Sequence, residues 1–343
     1  MKGPKVFTQK NIQQAADILT HGGLIAFPTE TVFGLGADAT NPRAVAKVFQ
    51  AKGRPNDNPL IVHVKDSVDI LPYIKEMTPI HQRLINNFWP GPLTIIFEMK
   101  EGAFDPIVTG GKSTIAFRMP DNEVALSLLN AVSFPLVGPS ANKSGKPSPT
   151  SYKHVLQDYQ HDEIEGVLKN ASPLTKIGIE STVVYPKDDQ VLILRPGQIT
   201  VSLLEEKGFD AKEVSSDEQL QSGQVMSPGI KYTHYSPKQP VYLMSYPKSI
   251  SEWQQVVSQL NQTEKVAVLA DDTILNALDQ TQIVASYTLG VKGSTKDHTQ
   301  RLFSGLRALE QTEATLIIAQ GLEDTQENHG FMNRLTKASN FVL

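Results

Sequence analysis

The sequence predicts an α/β protein: a larger N-terminal α/β domain and a smaller C-terminal domain with a parallel sheet. Three observations carry this. Short apolar runs alternate with helix-period segments along most of the chain. A polar stretch from Phe209 to Pro240 interrupts them, punctuated by Pro228, Gly229, Pro237 and Pro240. The 343 residues suit two domains better than one core. We expect domains over 1–208 and 241–343, with a linker or lid over 209–240.

Each element follows from local signals. Thr8 to Leu19 places Ile12, Ala15, Ala16 and Leu19 on one helical face, and Gly22-Gly23 stops it. Leu24 to Phe27 reads as a buried strand ending at Pro28. Asn41-Pro42 opens a helix, with a cap followed by proline in the first turn. Leu60 to Val64 is a strand, and Thr78-Pro79 starts a helix that runs to Trp89. Strands follow at Leu93 to Phe97, Thr114 to Arg118 and Leu136 to Gly138. Val183 to Tyr185 and Val191 to Leu194 form a hairpin turning at Lys187-Asp188-Asp189. Beyond the linker, strands at 241–244, 266–270, 283–287 and 316–319 alternate with helices at 250–260, 273–278, 295–310 and 332–338. That rhythm predicts a Rossmann-like doubly wound parallel sheet.

Composition narrows function. There is no cysteine, which excludes disulfides, thiolate nucleophiles and the usual structural zinc sites. The net charge of −4 does not fit a bulk nucleic-acid binder. No apolar run is long enough to span a membrane, and the N-terminus lacks a signal-like apolar core; a cytoplasmic protein is expected. Two motifs are decoys. Gly34-Leu35-Gly36-Ala37-Asp38-Ala39 fits a loose dinucleotide pattern but lies too far after its strand and before its helix, and reads as a glycine-rich turn. Gly110-Gly111-Lys112-Ser113 resembles a phosphate loop, but Pro106 stands where glycine is needed and a strand follows. Asp271-Asp272 reads as a helix cap.

Five polar clusters follow strands, where open α/β sheets place ligands. They are Pro28-Thr29-Glu30-Thr31, Lys52-Gly53-Arg54-Pro55-Asn56-Asp57-Asn58-Pro59, Arg118, Pro139 to Thr150, and Gly178-Ile179-Glu180-Ser181-Thr182 with Arg195-Pro196-Gly197. Lys52, Arg54, Arg118, Lys143, Lys146 and Arg195 bring local positive charge to an acidic chain. Ser140, Asn142, Thr150 and Ser181 add donors. The set suits a polyanion with several phosphates and a small polar co-substrate.

Pro-Thr-Glu-Thr-Val-Phe-Gly-Leu-Gly at 28–36, Lys-Gly-Arg-Pro-x-Asp-Asn-Pro-Leu-Ile-Val-His at 52–63 and Pro-Ser-Ala-Asn-x-Ser-Gly at 139–145 resemble the YrdC-like threonylcarbamoyl-adenylate synthases. Gly-Ile-Glu-Ser-Thr-Val-Val at 178–184 and Leu-Arg-Pro-Gly at 194–197 extend the match. Ser-Pro-Gly-Ile-Lys-Tyr-x-His-Tyr-Ser-Pro at 227–237 resembles the longer two-domain form, with Ile230 and Ser236 as small departures.

The resemblance implies a YrdC-like twisted mixed sheet and synthesis of threonylcarbamoyl-AMP from L-threonine, bicarbonate or CO2, and ATP, with release of pyrophosphate. The product feeds a downstream threonylcarbamoyl-transferase complex acting on tRNA beside the anticodon. The chemistry needs positioning and charge neutralisation, not a covalent nucleophile. On the resemblance, Lys52 and Arg54 meet the nucleotide phosphates, with Ser140 and Asn142 between substrate and nucleotide. Asn58, Thr114, Asn142, Thr150, Arg195 and Tyr235 lie around ATP. Thr31, His63, Arg118, Ser140 and Ser181 hold threonine, Arg118 through its carboxylate. Mg2+ enters through phosphate oxygens, with no protein ligand assigned. Lys231, Tyr232, His234 and Tyr235 tip a lid that keeps water from a labile anhydride. The competing expectation is a non-catalytic module for double-stranded RNA or tRNA; as an enzyme, the protein is expected to make only weak RNA contact.

Overall fold

The computed structural model describes residues 3–56, 58–215 and 235–343. The described chain divides into two compact units. The first holds the chain up to Ser144, Pro149–Thr175 and the stretch from Glu180 onward. The second holds Gly145–Ser148, Lys176–Ile179 and the described chain through Leu343.

In the first unit the strands are β1 (Lys5–Phe7), β2 (Ile25–Phe27), β3 (Gly34–Asp38), β4 (Ile61–His63), β5 (Leu93–Glu98), β6 (Thr114–Arg118), β7 (Leu136–Val137), β8 (Gly166–Leu168), β9 (Thr182–Lys187), β10 (Gln190–Arg195) and β11 (Asp210–Glu213). They form one mixed sheet in the order β1-β8-β2-β3-β7-β4-β6-β5-β9-β10-β11. Helices are α1 (Ile12–Thr20), α2 (Pro42–Lys52), α3 (Pro79–Phe88), α4 (Pro106–Thr109), α5 (Glu123–Ala131), α6 (Tyr152–Asp158) and α7 (Val201–Glu206). The cap expected at Asn41 is present: its side chain accepts from the Arg43 and Ala44 amides, and Gly53 ends α2 in the left-handed conformation.

Strand periodicity sorts side chains between the two faces of this sheet. Val62, Ile95, Phe97, Phe117, Val184 and Ile193 face the main core, shared with Val45, Val48, Leu84, Phe88, Val155 and Leu204 of α2, α3, α6 and α7. On the opposite face, Ile25, Phe27 and Leu168 pack against Ala16 and Leu19 of α1 and Leu128 and Leu129 of α5. Further along that face Ile61, Ile96, Ala116, Val183 and Leu194 form a separate cluster containing no helical residue. Leu136 of the α5-covered half pairs with His63 of β4, so both lie on one sheet face. Among the described residues of this unit, helical cover stops near β7 and an apolar bed begins.

The glycine-rich turn expected at 34–39 is a strand. Gly34 and Gly36 lie in β3, antiparallel to β2. A Cβ on Gly36 would fall 2.9 Å from the Ile25 carbonyl oxygen and 3.1 Å from the Phe27 ring. The glycines make room for a neighbouring ring, not for a flexible loop. The segment at 110–113 is a turn into a strand, with Gly110 and Gly111 in the left-handed region before β6.

The second unit contains β12 (Val241–Met244), α8 (Ile250–Leu260), β13 (Val266–Ala270), α9 (Asp272–Ala277), β14 (Ala285–Thr288), α10 (Thr295–Glu310), β15 (Leu316–Gln320), α11 (Gln326–Ala338) and β16 (Phe341–Val342). Its sheet is wholly parallel, in the order β14-β13-β15-β12-β16. Asp271 caps α9 through the Thr273 and Ile274 amides, as expected. Two short loops from the N-terminal stretch are stapled into this unit. Arg307 donates twice to the Pro147 carbonyl, at 2.9 and 2.6 Å. The Ser236 amide donates to the Gly145 carbonyl. A Cβ on Gly178 would lie 2.5 Å from the Gln300 Cα, so that close approach needs glycine.

Candidate active site

The site in the first unit begins where β2 leaves the sheet. Residues 28–33 form a wholly buried loop into β3. Thr29 donates its hydroxyl proton to the Val32 carbonyl at 2.7 Å. Its oxygen also lies 2.8 Å from the Thr31 hydroxyl and accepts from the Thr31 amide. Thr29 has one proton, so Thr31 must be the donor within that pair. Thr31 therefore presents acceptor lone pairs.

A second loop runs beside the first. The Phe33 amide donates to the Pro149 carbonyl, Leu35 to Pro139, and Ala141 to Phe33. Lys52, at the end of α2 and 3% exposed, closes this loop. Its ammonium donates to the carbonyls of Ser140 and Asn142, the latter at 2.7 Å. The Ser144 amide returns a bond to the Lys52 carbonyl. Lys52 thus folds the 140–144 loop around a buried cation. Asn142 donates to the Lys143 carbonyl. Arg54 follows the left-handed Gly53 and is half-buried.

His63 and Arg118 are neighbours in the parallel register of β4 and β6, at the carboxyl ends of both strands. The His63 ring meets Phe27 edge-on, with centroids 5.4 Å apart. A Cβ on Gly138 would sit 2.6 Å from His63 Nδ1 and 3.0 Å from Phe27, so this glycine lets the two rings approach. Burial, then the Arg118 charge, lower the His63 pKa to about 3. The imidazole is therefore neutral, and its Nδ1 has no hydrogen-bond partner among the described residues. Arg118 is buried, donates to the Gly91 carbonyl, and pairs with Glu30 at 2.7 Å.

Ser181 precedes β9. Its hydroxyl lies 2.8 Å from that of Thr94 on β5. Arg195 grips it from β10, donating twice to the Ser181 carbonyl and once to its hydroxyl. His63, Arg118, Thr94 and Ser181 thus form a polar row at one end of the apolar bed. Thr114 starts β6, four residues from Arg118 and about 13 Å away at strand rise. Thr114 therefore belongs to the other end of the bed. Asn58, just before β4, is fully buried, and neither amide atom has a hydrogen-bond partner among the described residues. Thr150 is buried beside Pro149, its amide donating to His154.

Other residues expected around the site have neighbours of their own. Lys143 reaches the Ala51 carbonyl and Glu163, and lies over the Tyr159 ring. Lys146 belongs to the second unit, as does Tyr235, whose ring packs 5.0 Å from Phe303. Lys231, Tyr232 and His234 lie outside the described residues, as does Asp57.

Comparison with known proteins fits this geometry. The profile of a family described as "Telomere recombination" matches residues 17–197, and that of "Threonylcarbamoyl-AMP synthase, C-terminal domain" matches 198–340. The threonylcarbamoyl-AMP synthase of Bacillus subtilis is 38% identical over 336 residues, 96% of this chain and 92% of that protein. That of Pyrococcus abyssi is 35% identical over 335 residues, 97% of this chain and 95% of its own. The chain belongs to the threonylcarbamoyl-AMP synthase family. A crystal structure of the P. abyssi protein in complex with L-threonine superposes with a TM-score of 0.86 at 33% identity, covering 98% of each chain.

Within this family member, sequence reasoning gave no role to Glu30 or Thr94. Glu30 stood inside a recognised motif, but nothing in the sequence showed that it faces Arg118 across the sheet. Thr94 looked like an ordinary residue of an apolar strand. Its signal was parity: a hydroxyl two residues before Ile96, on the face away from the main core.

Proposed function

We propose that this chain joins L-threonine, bicarbonate or CO2, and ATP into threonylcarbamoyl-AMP, releasing pyrophosphate. The observation that carries this reading is the bed itself. It pairs a buried polar row with an apolar floor and closes on one side against a loop built around Lys52.

The residues divide the labour. Arg118, Thr31, His63 and Ser181 hold threonine at the carboxyl ends of β4 and β6. A guanidinium suits the carboxylate, a neutral imidazole suits a hydroxyl or carbamate N–H, and Thr31 offers lone pairs. The nucleoside rests on Ile61, Ile96, Ala116, Val183 and Leu194 and reaches towards Thr114 and Asn58. A ligand of nucleoside triphosphate length is needed to touch both ends of that span. Lys52 and Arg54 bring positive charge to the phosphates, with Ser140 and Asn142 on the loop between the two substrates. Arg195 and Thr150 shape the walls around the nucleotide. Attack of the carbamate oxygen on the α-phosphorus then depends on orientation and charge stabilisation, with pyrophosphate leaving in line.

Among the described residues no three His, Asp or Glu side chains converge on a common point. An Mg2+ carried in on the ATP phosphate oxygens would neutralise the leaving group. The adenylate would pass to a threonylcarbamoyl transferase acting on tRNA. No helix among the described residues is long and apolar enough to cross a membrane.

The test is pyrophosphate release with each substrate omitted in turn. Arg54→Ala should cut turnover at least a hundredfold while leaving the thermal transition in place. Release that ignores threonine would refute the reading.

A further inference from the structure

The buried polar row contains one acceptor for which the roles above leave no use. Glu30 is 2% exposed, and one of its carboxylate oxygens lies 2.7 Å from Arg118. Both oxygens are buried without a hydrogen bond among the described residues; Oε2 has the Arg118 ion pair, and Oε1 has neither. A buried carboxylate oxygen without a donor is costly, and native structures seldom leave one so. The two hydroxyl protons in the same loop are already committed: Thr29 donates to Val32, and Thr31 donates to Thr29. A ligand ammonium would supply the donor that Oε1 lacks among the described residues.

Glu30 and Arg118 together present opposite charges side by side. An α-amino acid carries an ammonium and a carboxylate on one carbon. Laid antiparallel over the pair, each of its charges meets the opposite one. We propose that Glu30 is a substrate-binding residue whose Oε1, beside the Arg118 guanidinium, receives the ammonium of L-threonine. The pair then selects α-amino zwitterions over simple hydroxy acids. This rests on the threonine-binding reading above and deepens it.

The experiment compares three ligands by calorimetry on the full-length protein with ATP analogue and Mg2+ present: L-threonine, 3-hydroxybutyrate lacking the amine, and L-2-aminobutyrate lacking the hydroxyl. The wild-type protein should prefer threonine over 3-hydroxybutyrate at least about thirtyfold, as a buried charge-assisted bond implies. Glu30→Gln, which keeps the shape, should bring that ratio to within about threefold, with the preference over 2-aminobutyrate unchanged. Glu30→Asp should keep part of the ratio. Retained binding of the ATP analogue reports that each variant is folded.

Equal weakening of all three ligands in Glu30→Gln would overturn the proposal, because Glu30 would then only position Arg118. Loss of the preference over 2-aminobutyrate alone would also overturn it, by assigning Oε1 to the hydroxyl. The wild-type comparison stands without any variant: a ratio near one overturns the proposal even if threonine binds. No binding of threonine at all would instead overturn the function itself.

Discussion

Replacing Lys52 with methionine separates its two expected contributions, because the stem length is kept and the ammonium removed. In the folded protein that ammonium donates to the Ser140 and Asn142 carbonyls from a site only 3% exposed. A hydrogen bond from a charged donor contributes roughly 1.5–3 kcal/mol, so two such bonds set an upper figure of roughly 3–6 kcal/mol. Desolvation of the buried cation, already incurred in the wild type, offsets part of this. We therefore expect a loss of about 2–4 kcal/mol in urea unfolding. Hydrogen exchange should localise the damage. The Ala141 and Leu35 amides, which tie the two site loops together, should lose protection, while amides of β5 and β6 keep theirs. Turnover should fall with it. A Lys52→Met protein that loses less than about 1 kcal/mol and keeps Ala141 protection would refute the clamp. Lys52 would then act on phosphate alone.

Other consequences are direct. His63, with its folded pKa lowered to about 3 from 6.5, should show no imidazole titration by NMR between pH 5 and 8. Because the unfolded chain takes up that proton and the folded one does not, its contribution to stability is intact above about pH 6.5 and declines as pH falls towards 3, by at most about 1.4 kcal/mol per pH unit. His81 and His298, also lowered mainly by burial, steepen the same decline, which acid titration of the unfolding free energy measures. Gly138→Ala puts a methyl group where His63 and Phe27 approach. It should cost about 1–3 kcal/mol of stability and raise KM for threonine more than for ATP. Equal KM values would count against His63 in the threonine subsite. Asp271→Ala removes the cap of α9 in the second unit. It should cost about 1–2 kcal/mol there, seen as faster exchange at Thr273 and Ile274, with ATP affinity unchanged.

Local chemistry was readable in the sequence where a single segment determines it. Asn41-Pro42, the Lys187–Asp189 turn and the alternation beyond residue 240 depend on caps, turns and periodicity, and the elements stand close to where those signals put them, except that the last helix begins at Gln326 instead of Met332 and β16 had no signal assigned to it. The parallel sheet of the second unit was legible for the same reason, since strand–helix–strand units leave few alternatives. Tertiary approach was hidden. Gly34 and Gly36 read as flexible because glycine usually means a turn, yet here the Phe27 ring takes the space a side chain would fill. The place of residues 145–148 and 176–179 in the second unit was equally invisible, because their stapling depends on Arg307 and Gln300, more than a hundred residues away. In the site, residue types marked the motifs, but pairing decided the chemistry. Lys143 read only as local positive charge, and Glu163 and Tyr159 stand around it; Glu30 had no role in the sequence reading, and Arg118 lies beside it.

The central claim is that this bed couples threonine, bicarbonate and ATP in one active site. The measurement that tests it most directly is mass spectrometry of the product formed from ATP, Mg2+, L-threonine and 13C-bicarbonate, with pyrophosphate followed in parallel. We expect an adenylate carrying threonine and one 13C, formed in step with pyrophosphate and lost when threonine or bicarbonate is withheld. Pyrophosphate release without a labelled adenylate, or an adenylate lacking the 13C carbon, would contradict it.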